Sequence, residues 1–236
     1  MAEQAAGGRV GDAVGAITRH IRDANLLPGD RLPSEAALSR ELDVSRSVVR
    51  EAFRSLAAIR VIELGAGRRA TVAALDHGPR GPMSLIIEHG LLTQQITIQQ
   101  IYDVRRTIEA RVVALAALRR GESEAAEVLA LAAAMRAARA APDALMERDL
   151  DFHAALARAS RNPVFALIVA AFAGITRQTW PIGWRSRATE AAREAMVAGH
   201  EEIAAAVAAG DPARAAAAME AHFDSSVRAL LAAGLS

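Results

Sequence analysis

Apolar residues recur along this chain mostly at three- and four-residue spacing, which is the period of an α-helix. In the first part of the chain this pattern predicts helices over residues 10–25, 35–42 and 46–59. The segments "RVIEL" and "ATVA" then have a strand-like pattern and bracket "GAGRR", so we expect them to pair as a hairpin. Two short helices joined by a tight turn and followed by a hairpin predict a winged helix-turn-helix.

The stretch "ALDHGPRGPM", residues 74–83, is rich in Pro and Gly and separates two regions of different pattern. We therefore expect a winged helix-turn-helix domain over residues 1–75, a linker over 76–83, and a helical domain over 84–236. The predicted class is mainly α, with an all-helical second domain. About seven helices are expected in that domain, at residues 84–92, 97–120, 123–139, 143–160, 163–179, 187–209 and 212–232.

Composition supports this class and limits the chemistry. Hydrophobic residues make up 52% of the chain and aromatic residues only 3%, and the abundant Ala and Leu favour helices over sheet. The chain contains no cysteine, which excludes disulfides and thiolate metal sites. We find no signal-peptide pattern and no apolar run long enough to span a bilayer, so we expect a cytoplasmic protein with no membrane partner.

The net charge of +1 conceals a local basic excess, because residues 44–72 hold six Arg and only two acidic residues. Ser45 is expected to cap the second short helix, whose Arg46, Arg50 and Arg54 recur every fourth residue and form one outward stripe. Arginine can read guanine in the major groove, while serine hydroxyls can hold phosphates.

A solvated arginine face would be the simplest interpretation of such a stripe on a lone helix. Here the cap, the turn and the basic hairpin all agree with binding to double-stranded DNA. The candidate DNA-binding residues are Ser45, Arg46, Ser47, Arg50, Arg54, Arg68 and Arg69.

Residues 27–72 resemble the winged helix-turn-helix of GntR-family bacterial transcription regulators. The match rests on "LPGDRLPSE", on "VSR" in the turn, on "VREA" in the second helix, and on the wing, all in the same order. The resemblance implies base or backbone contacts from the serines and arginines named above. The sequence departs from many relatives at Ala36, where they carry arginine, so one DNA contact is expected to be absent.

Three of the six histidines lie on apolar helix faces of the second part. His153 lies one helical turn after Asp149, His200 lies in a stripe with Ile203, and His222 follows Met219 by three residues. Hydrogen-bonded core histidines and an Asp paired with arginine would be the alternative to a functional site. A buried carboxylate beside imidazole nitrogens also suits zinc, nickel, cobalt or manganese.

Residues 84–232 resemble the FCD domain, the FadR-type C-terminal domain of one GntR branch. The segments "VRRTIEARVVALAA" and "DLDFHAALARASRNP" and the late helices with His200 and His222 carry this match. In metal-binding members, the acid and histidine of D-x-x-F-H and two later histidines form the site. The resemblance thus implies a divalent metal on Asp149, His153, His200 and His222, and among the candidate metals we favour zinc.

The same resemblance implies a small carboxylate metabolite as effector, bound above the metal. Arg105 matches a family arginine that can bind an acidic effector, although it can equally form a salt bridge to Glu109, four residues later. The stretch "TWPIGWRSR", residues 179–187, is expected to be irregular and to lie over the pocket or at a subunit interface.

These features predict a homodimeric, metabolite-responsive transcription regulator that binds a pseudo-palindromic operator, with repression relieved by the effector favoured. A sensor of the metal ion itself is one alternative. A metal-dependent hydrolase or lyase is another, but it needs a general base near the metal, and no further acid is expected on the inner helix faces. Glu201 and Glu202 are expected to point away from His200. We therefore do not expect an enzyme.

Overall fold

The computed structural model describes residues 2–65, 69–75 and 81–235 of the chain. These residues form two compact units that divide after Asp76. Both units are built mainly from helices, and the only sheet within the described residues has two strands. The predicted fold class, mainly α with a helix-turn-helix followed by a helical bundle, is therefore confirmed.

The first unit contains three helices and a small antiparallel hairpin. Its elements are α1 (Ala2–Asp23), α2 (Glu35–Glu41), α3 (Arg46–Ala58), β1 (Ile62–Glu63) and β2 (Thr71–Val72). The strands pair with Ile62 opposite Val72. The strand-like pattern is longer than the assigned strands, which hold two residues each, and one further hydrogen bond, from the Ala73 N–H to the Val61 carbonyl at 3.0 Å, extends the pairing.

The helix-turn-helix is defined at both helix starts by serine caps. The Ala37 N–H donates to Ser34 Oγ, and the Val48 N–H donates to Ser45 Oγ, so each hydroxyl satisfies a backbone donor that the first helical turn leaves free. Between the helices, Asp43 has a φ of 50°, which short polar side chains tolerate and which turns the chain sharply. The predicted Ser45 cap is thus confirmed.

The second unit is a bundle of eight described helices. They are α4 (Pro82–Leu92), α5 (Ile98–Arg119), α6 (Glu122–Ala138), α7 (Pro142–Ala159), α8 (Pro163–Ala171), α9 (Ala173–Ser186), α10 (Glu190–Ala209) and α11 (Pro212–Ala232). Helix α5 packs against α7, α10 and α11, which brings these four elements together in the interior. Phe152, Ile203 and Met219 come from three of them and are fully buried.

The prediction for residues 163–187 was wrong in two respects. The expected helix 163–179 is two helices, α8 and α9, with a bend of 50° between them. The expected irregular stretch 179–187 is helical as far as Ser186, although it includes Pro181. Proline costs about 3 kcal/mol inside a helix, but Ile175, Thr179 and Trp184 of α9 are buried, and that burial favours continuing the helix past Pro181.

Within residues 2–65, 69–75 and 81–235, no helix alone has both the length and the apolar composition needed to cross a bilayer. The bent pair of α8 and α9 meets these two criteria only when the helices are taken together.

The start of α5 offers a test of local stability. The Gln100 N–H donates to Thr97 Oγ, and the Thr97 N–H donates to the Gln100 side chain, so two free donors are satisfied reciprocally. Thr97→Ala should therefore lower the free energy of unfolding by about 1 kcal/mol. Urea unfolding measures this change. Gln99→Ala, at an exposed neighbouring position, is the control, and an equal loss in both variants would contradict the role of the cap.

Candidate nucleic-acid interface and candidate metal centre

Helix α3 presents the predicted arginine stripe to solvent. Arg46, Arg50 and Arg54 are all exposed, while Val49, Ala52, Phe53 and Leu56 on the opposite face are buried. The strong separation of the two faces explains why the stripe can contact a partner without disturbing the core. At the start of the helix, the hydroxyls of Ser45 and Ser47 lie 2.7 Å apart, beside the first-turn N–H groups.

Two of the three stripe arginines have acidic neighbours. Arg50 Nη2 lies 3.1 Å from Glu35 Oε2 at the start of α2, and this contact raises the pKa of Arg50. Arg54 pairs with Glu51 on the same helix. These pairs are exposed to solvent, where ion pairs contribute little to stability, so a phosphate or a base can replace the carboxylate at small cost.

A groove of about 460 Å³ lies beside the stripe and reaches the wing. Arg50, Arg54 and Arg69 line it together, along with Glu35 and Phe53. The structure therefore brings arginines of α3 and of the hairpin to one surface. Arg68, the second predicted wing residue, lies outside the described residues.

In the second unit, Asp149, His153, His200 and His222 converge. Asp149 and His153 come from α7, His200 from α10 and His222 from α11. One nitrogen or oxygen from each residue lies within 4.8 Å of the others. The side chain of His200 is 0% exposed, those of Asp149 and His153 are buried, and His222 is half-buried. Four donors on three packed helices are thus held together by the core.

The hydrogen bonds of two histidines define which nitrogen is free to bind a ligand. His200 Nδ1 lies 2.9 Å from the Met196 carbonyl, which can only accept, so Nδ1 carries the proton. His153 Nδ1 contacts the Glu109 carboxylate and donates in the same way. In the neutral form of each ring, Nε2 then holds the free lone pair. This arrangement is the one that metal-binding histidines adopt.

The free nitrogens have no hydrogen-bond partner in the protein. Among the described side chains, only three buried nitrogen or oxygen atoms lack one, and two of these are His153 Nε2 and His200 Nε2. His200 Nε2 nevertheless lies 2.9 Å from Asp149 Oδ1. This short contact lacks hydrogen-bond geometry, and in the neutral form of His200 it brings two acceptors together, which repel each other. A cation shared between them removes the repulsion.

The protonation of the cluster reflects burial and neighbouring charge. Burial alone would raise the pKa of Asp149, but His200 and the other imidazoles hold it well below its usual range. Burial lowers the pKa of His222 well below its usual value, and the other two histidines lower it further. Burial would lower the pKa of His153, but the Glu109 carboxylate raises it. Asp149 is thus anionic and His222 neutral at neutral pH, and a metal ion at His153 Nε2 must displace the proton that Glu109 favours.

Glu109 is a site residue that the sequence interpretation missed. We expected no further acid on the inner helix faces, but Glu109 on α5 is 2% exposed and contacts His153. Its signal in the sequence was its position one helical turn after Arg105, on the apolar face of α5. Arg105 Nε donates to Glu109 Oε1 at 2.9 Å, which confirms that the predicted salt bridge forms. Because Glu109 is held by both residues, it does not lie free as a general base.

A cavity of about 40 Å³ adjoins the cluster. Arg105 lines it, as do three of the four cluster residues. Trp180 also lines it, whereas Trp184 is buried and stacks on Trp180 at 5.3 Å between ring centroids. The two tryptophans therefore belong to the wall of this cavity and to the core behind it, rather than to an irregular lid.

A helix-turn-helix with an arginine-lined groove, attached to a helical unit with an internal polar cavity, defines a DNA-binding regulator. The comparisons with known proteins agree. Residues 10–72 match the model described as "Bacterial regulatory proteins, gntR family", and residues 100–225 match "FCD domain". The chain belongs to the GntR family of bacterial transcription regulators and carries the FCD domain.

Curated relatives are regulators as well. The chain is 32% identical over 206 residues to the HTH-type transcriptional regulator LutR of Bacillus subtilis, covering 86% of this chain and 92% of LutR. It is 29% identical over 177 residues to the galactonate operon transcriptional repressor of Escherichia coli, covering 71% and 74%. A Streptococcus agalactiae GntR structure superposes with a TM-score of 0.70 over 93% of this chain and 99% of that one. It shares 23% identity, so it supports the fold alone.

Proposed function

We propose that this regulator is a homodimeric repressor whose FCD domain holds a divalent metal ion and releases DNA when a small carboxylate metabolite binds. Zinc is the metal we expect, with nickel, cobalt or manganese as possible substitutes. The DNA partner is a pseudo-palindromic operator, since a two-fold dimer presents two recognition helices to two half-sites. We place the protein in the cytoplasm, where this operator would lie.

The observation that supports the metal most strongly is the pair of free imidazole nitrogens beside a buried carboxylate. His153 and His200 both have Nδ1 occupied and Nε2 aimed at the cluster, and Asp149 supplies the negative charge. Three neutral nitrogens and one oxygen favour zinc over magnesium or calcium, which prefer oxygen ligands. When bound, the metal would supply a Lewis-acidic position for an effector oxygen.

DNA binding is assigned to α3 and the wing. We propose base contacts from Arg46 and Arg50, and phosphate contacts from Ser45, Ser47 and Arg54. Arg68 and Arg69 would then contact the minor groove or a phosphate. The exposure of the stripe and the shared groove with Arg69 support this assignment. Loss of a phosphate contact should weaken binding to all sequences, whereas loss of a base contact should weaken binding to the operator selectively.

We propose that Arg105 contacts the effector, although its positive charge is already balanced within the protein. Glu109 neutralises its guanidinium, and Arg105 Nη1 already donates to Thr176 Oγ at 2.9 Å. We therefore expect Arg105 to orient the effector through hydrogen bonds rather than to supply net positive charge.

The response to effector is proposed to pass through the helices that hold the cluster. Because α7, α10 and α11 each contribute a ligand, an effector at the metal changes how these helices pack. Such a change alters DNA binding only if the effector binds the DNA-competent and DNA-incompetent states with different affinity. Repression is favoured because the galactonate operon relative, which covers most of this chain, is named a repressor.

Dimerisation is supported by the surface of α4. Leu85 is 61% exposed and Ile86 70% exposed, and large apolar side chains adjacent on one helix are typical of an interaction surface. Sedimentation equilibrium should give twice the chain mass. A monomer at micromolar concentration would contradict the proposed dimer.

A sensor of the metal itself is the second candidate. It is favoured by the small size of the cavity beside the cluster, which has room for about three water molecules. In that case, chelation alone would switch DNA binding and no metabolite would have an effect.

Band-shift titrations separate the two functions. Operator DNA selected from random sequence is titrated with metal-loaded and chelated protein at fixed salt, with and without a panel of small carboxylates. The proposed function predicts release by a carboxylate from the metal-loaded protein only. Release on chelation without any carboxylate effect would favour the metal sensor. Absence of sequence-selective binding would contradict both.

Glu109→Gln tests the support of the metal site. The carboxylate that orients His153 becomes a neutral amide, so the metal affinity should fall about 10- to 100-fold. Competition with a chromophoric chelator measures this affinity, and circular dichroism confirms that the variant is folded. Glu127→Gln, at a surface pair with Arg158, is the matched control. Unchanged metal affinity in Glu109→Gln would contradict the supporting role of Glu109.

A further inference from the structure

A second arginine, Arg187, lines the cavity beside the metal cluster. It lies just after the last residue of α9, where its Nη1 donates to the Gly183 carbonyl at 2.9 Å. Among the described residues that line this cavity, the only basic side chains other than histidine are Arg105 and Arg187. They differ in one respect that matters for ligand binding.

Arg105 is neutralised by Glu109, but Arg187 forms no ion pair with any acidic side chain in the described part of the chain. A carbonyl accepts a hydrogen bond without balancing the positive charge. Burial also lowers the pKa of Arg187, and the charge of Asp149, on the same cavity, only partly opposes this effect. The guanidinium is therefore partly desolvated and has no acidic side chain in contact with it among the described residues, which makes binding of an anion favourable.

The charges of the cavity can be added up by pairs. Glu109 balances Arg105, and Asp149 balances one charge of a divalent metal. One positive charge then remains at the cluster and another at Arg187, on the wall of the same cavity. A ligand that pairs with both positive charges must carry two anionic groups.

We infer that the effector is a short dianionic acid, such as a dicarboxylate, with one acidic group at the metal cluster and the other at Arg187. This inference rests on the proposed function, because it requires the metal at the cluster. It assigns Arg187, rather than Arg105, as the residue that selects the acid class. The cavity of about 40 Å³ restricts the ligand to a short chain, and Trp180 lies half-buried at its wall.

The inference is tested with matched pairs of acids that differ by one carboxylate. Malonate, succinate and glutarate are compared with propionate, butyrate and valerate by calorimetry on zinc-loaded protein. Tryptophan fluorescence is a second readout, since both tryptophans of the chain lie in α9 and Trp180 lines the cavity. Zinc content is measured before and after each titration, so that chelation is not mistaken for binding.

In the wild-type protein, at least one dicarboxylate should bind about 10- to 100-fold more tightly than its matched monocarboxylate, as expected for a charge-assisted hydrogen bond. Arg187→Gln should abolish this preference while leaving the weaker monocarboxylate binding and the zinc content unchanged. Arg187→Lys should keep part of the preference. Arg185→Gln, an exposed arginine on the same helix that does not line the cavity, should retain all of it.

The failures are distinguishable. If the wild-type protein holds no metal at the cluster, the proposed function fails and this inference fails with it. If metal is bound but no dicarboxylate exceeds its monocarboxylate match, or if Arg187→Gln keeps the preference, the inference alone is overturned.

Discussion

A protein with His200 replaced by alanine should lose its metal and its response to effector, yet still bind operator DNA. His200 supplies one of four ligands, and it is the most deeply buried histidine of the cluster. Removing the hydrogen-bond partner of a metal ligand lowers the metal affinity about 10- to 100-fold. Removing the ligand itself should lower the metal affinity further. DNA binding should persist because the winged unit has its own buried core. Elemental analysis of the purified variant gives the metal content, and band shifts give the DNA affinity.

The matched control is His89→Ala, which removes an exposed histidine from the same domain. It should retain one metal ion per chain and respond to effector normally. Because His200→Ala leaves a void in the core, His222→Ala provides a second variant at a half-buried position. Stoichiometric metal in folded His200→Ala and His222→Ala would contradict the ligand assignment.

Arg50→Ala should weaken operator binding about 5- to 150-fold while changing the affinity for random DNA only slightly. This range corresponds to a free energy of about 1–3 kcal/mol for a bidentate contact with a guanine. Arg50 lies at the middle of the exposed stripe and lines the groove shared with Arg69. Band shifts on both DNAs at the same salt concentration measure the two effects, since phosphate contacts make affinity depend on salt.

Glu35→Gln is the informative control, because it removes the acidic neighbour of Arg50 without touching the arginine. This variant should bind the operator at least as tightly as the wild type. Equal loss of operator and random-DNA binding in Arg50→Ala would show that Arg50 contacts only phosphate.

The helix-turn-helix could be predicted from the sequence because its signals are local. Ser34 and Ser45 precede apolar periodic segments, and the structure shows both hydroxyls capping the helices that follow. The arginine stripe was visible for the same reason, since a spacing of four residues places side chains on one face without any knowledge of the tertiary structure.

Residues 163–187 could not be predicted because distant contacts decide their conformation. Proline and glycine in "TWPIGW" indicate a break, yet the buried face of α9 keeps the helix intact through Pro181. The apolar pattern across residues 163–179 likewise gave no sign of the bend at Phe172. Local propensity is a weak guide where a segment is packed on several sides.

At the cluster, the sequence identified which residues lie on apolar faces, but not which atoms meet. Asp149, His153, His200 and His222 come from three helices, and only their packing brings one atom of each within 4.8 Å. Glu109 was missed because a glutamate one turn after an arginine is ordinarily a surface pair. Its contact with His153, 44 residues away in the chain, is a property of the tertiary fold. The sequence also gave no sign of the role that we propose for Arg187. That role depends on the absence of an acidic side chain beside Arg187 in the described structure, which only the tertiary fold determines.

The metal centre is tested most directly by a crystal structure of the purified protein, with anomalous diffraction data collected on both sides of the zinc absorption edge. We predict one strong anomalous peak per chain, bounded by Asp149, His153, His200 and His222, at distances of about 2.0–2.2 Å from the ligating nitrogen and oxygen atoms. A structure of metal-supplemented protein without such a peak, with Asp149 and His200 joined only by a proton, would contradict the proposed metal centre.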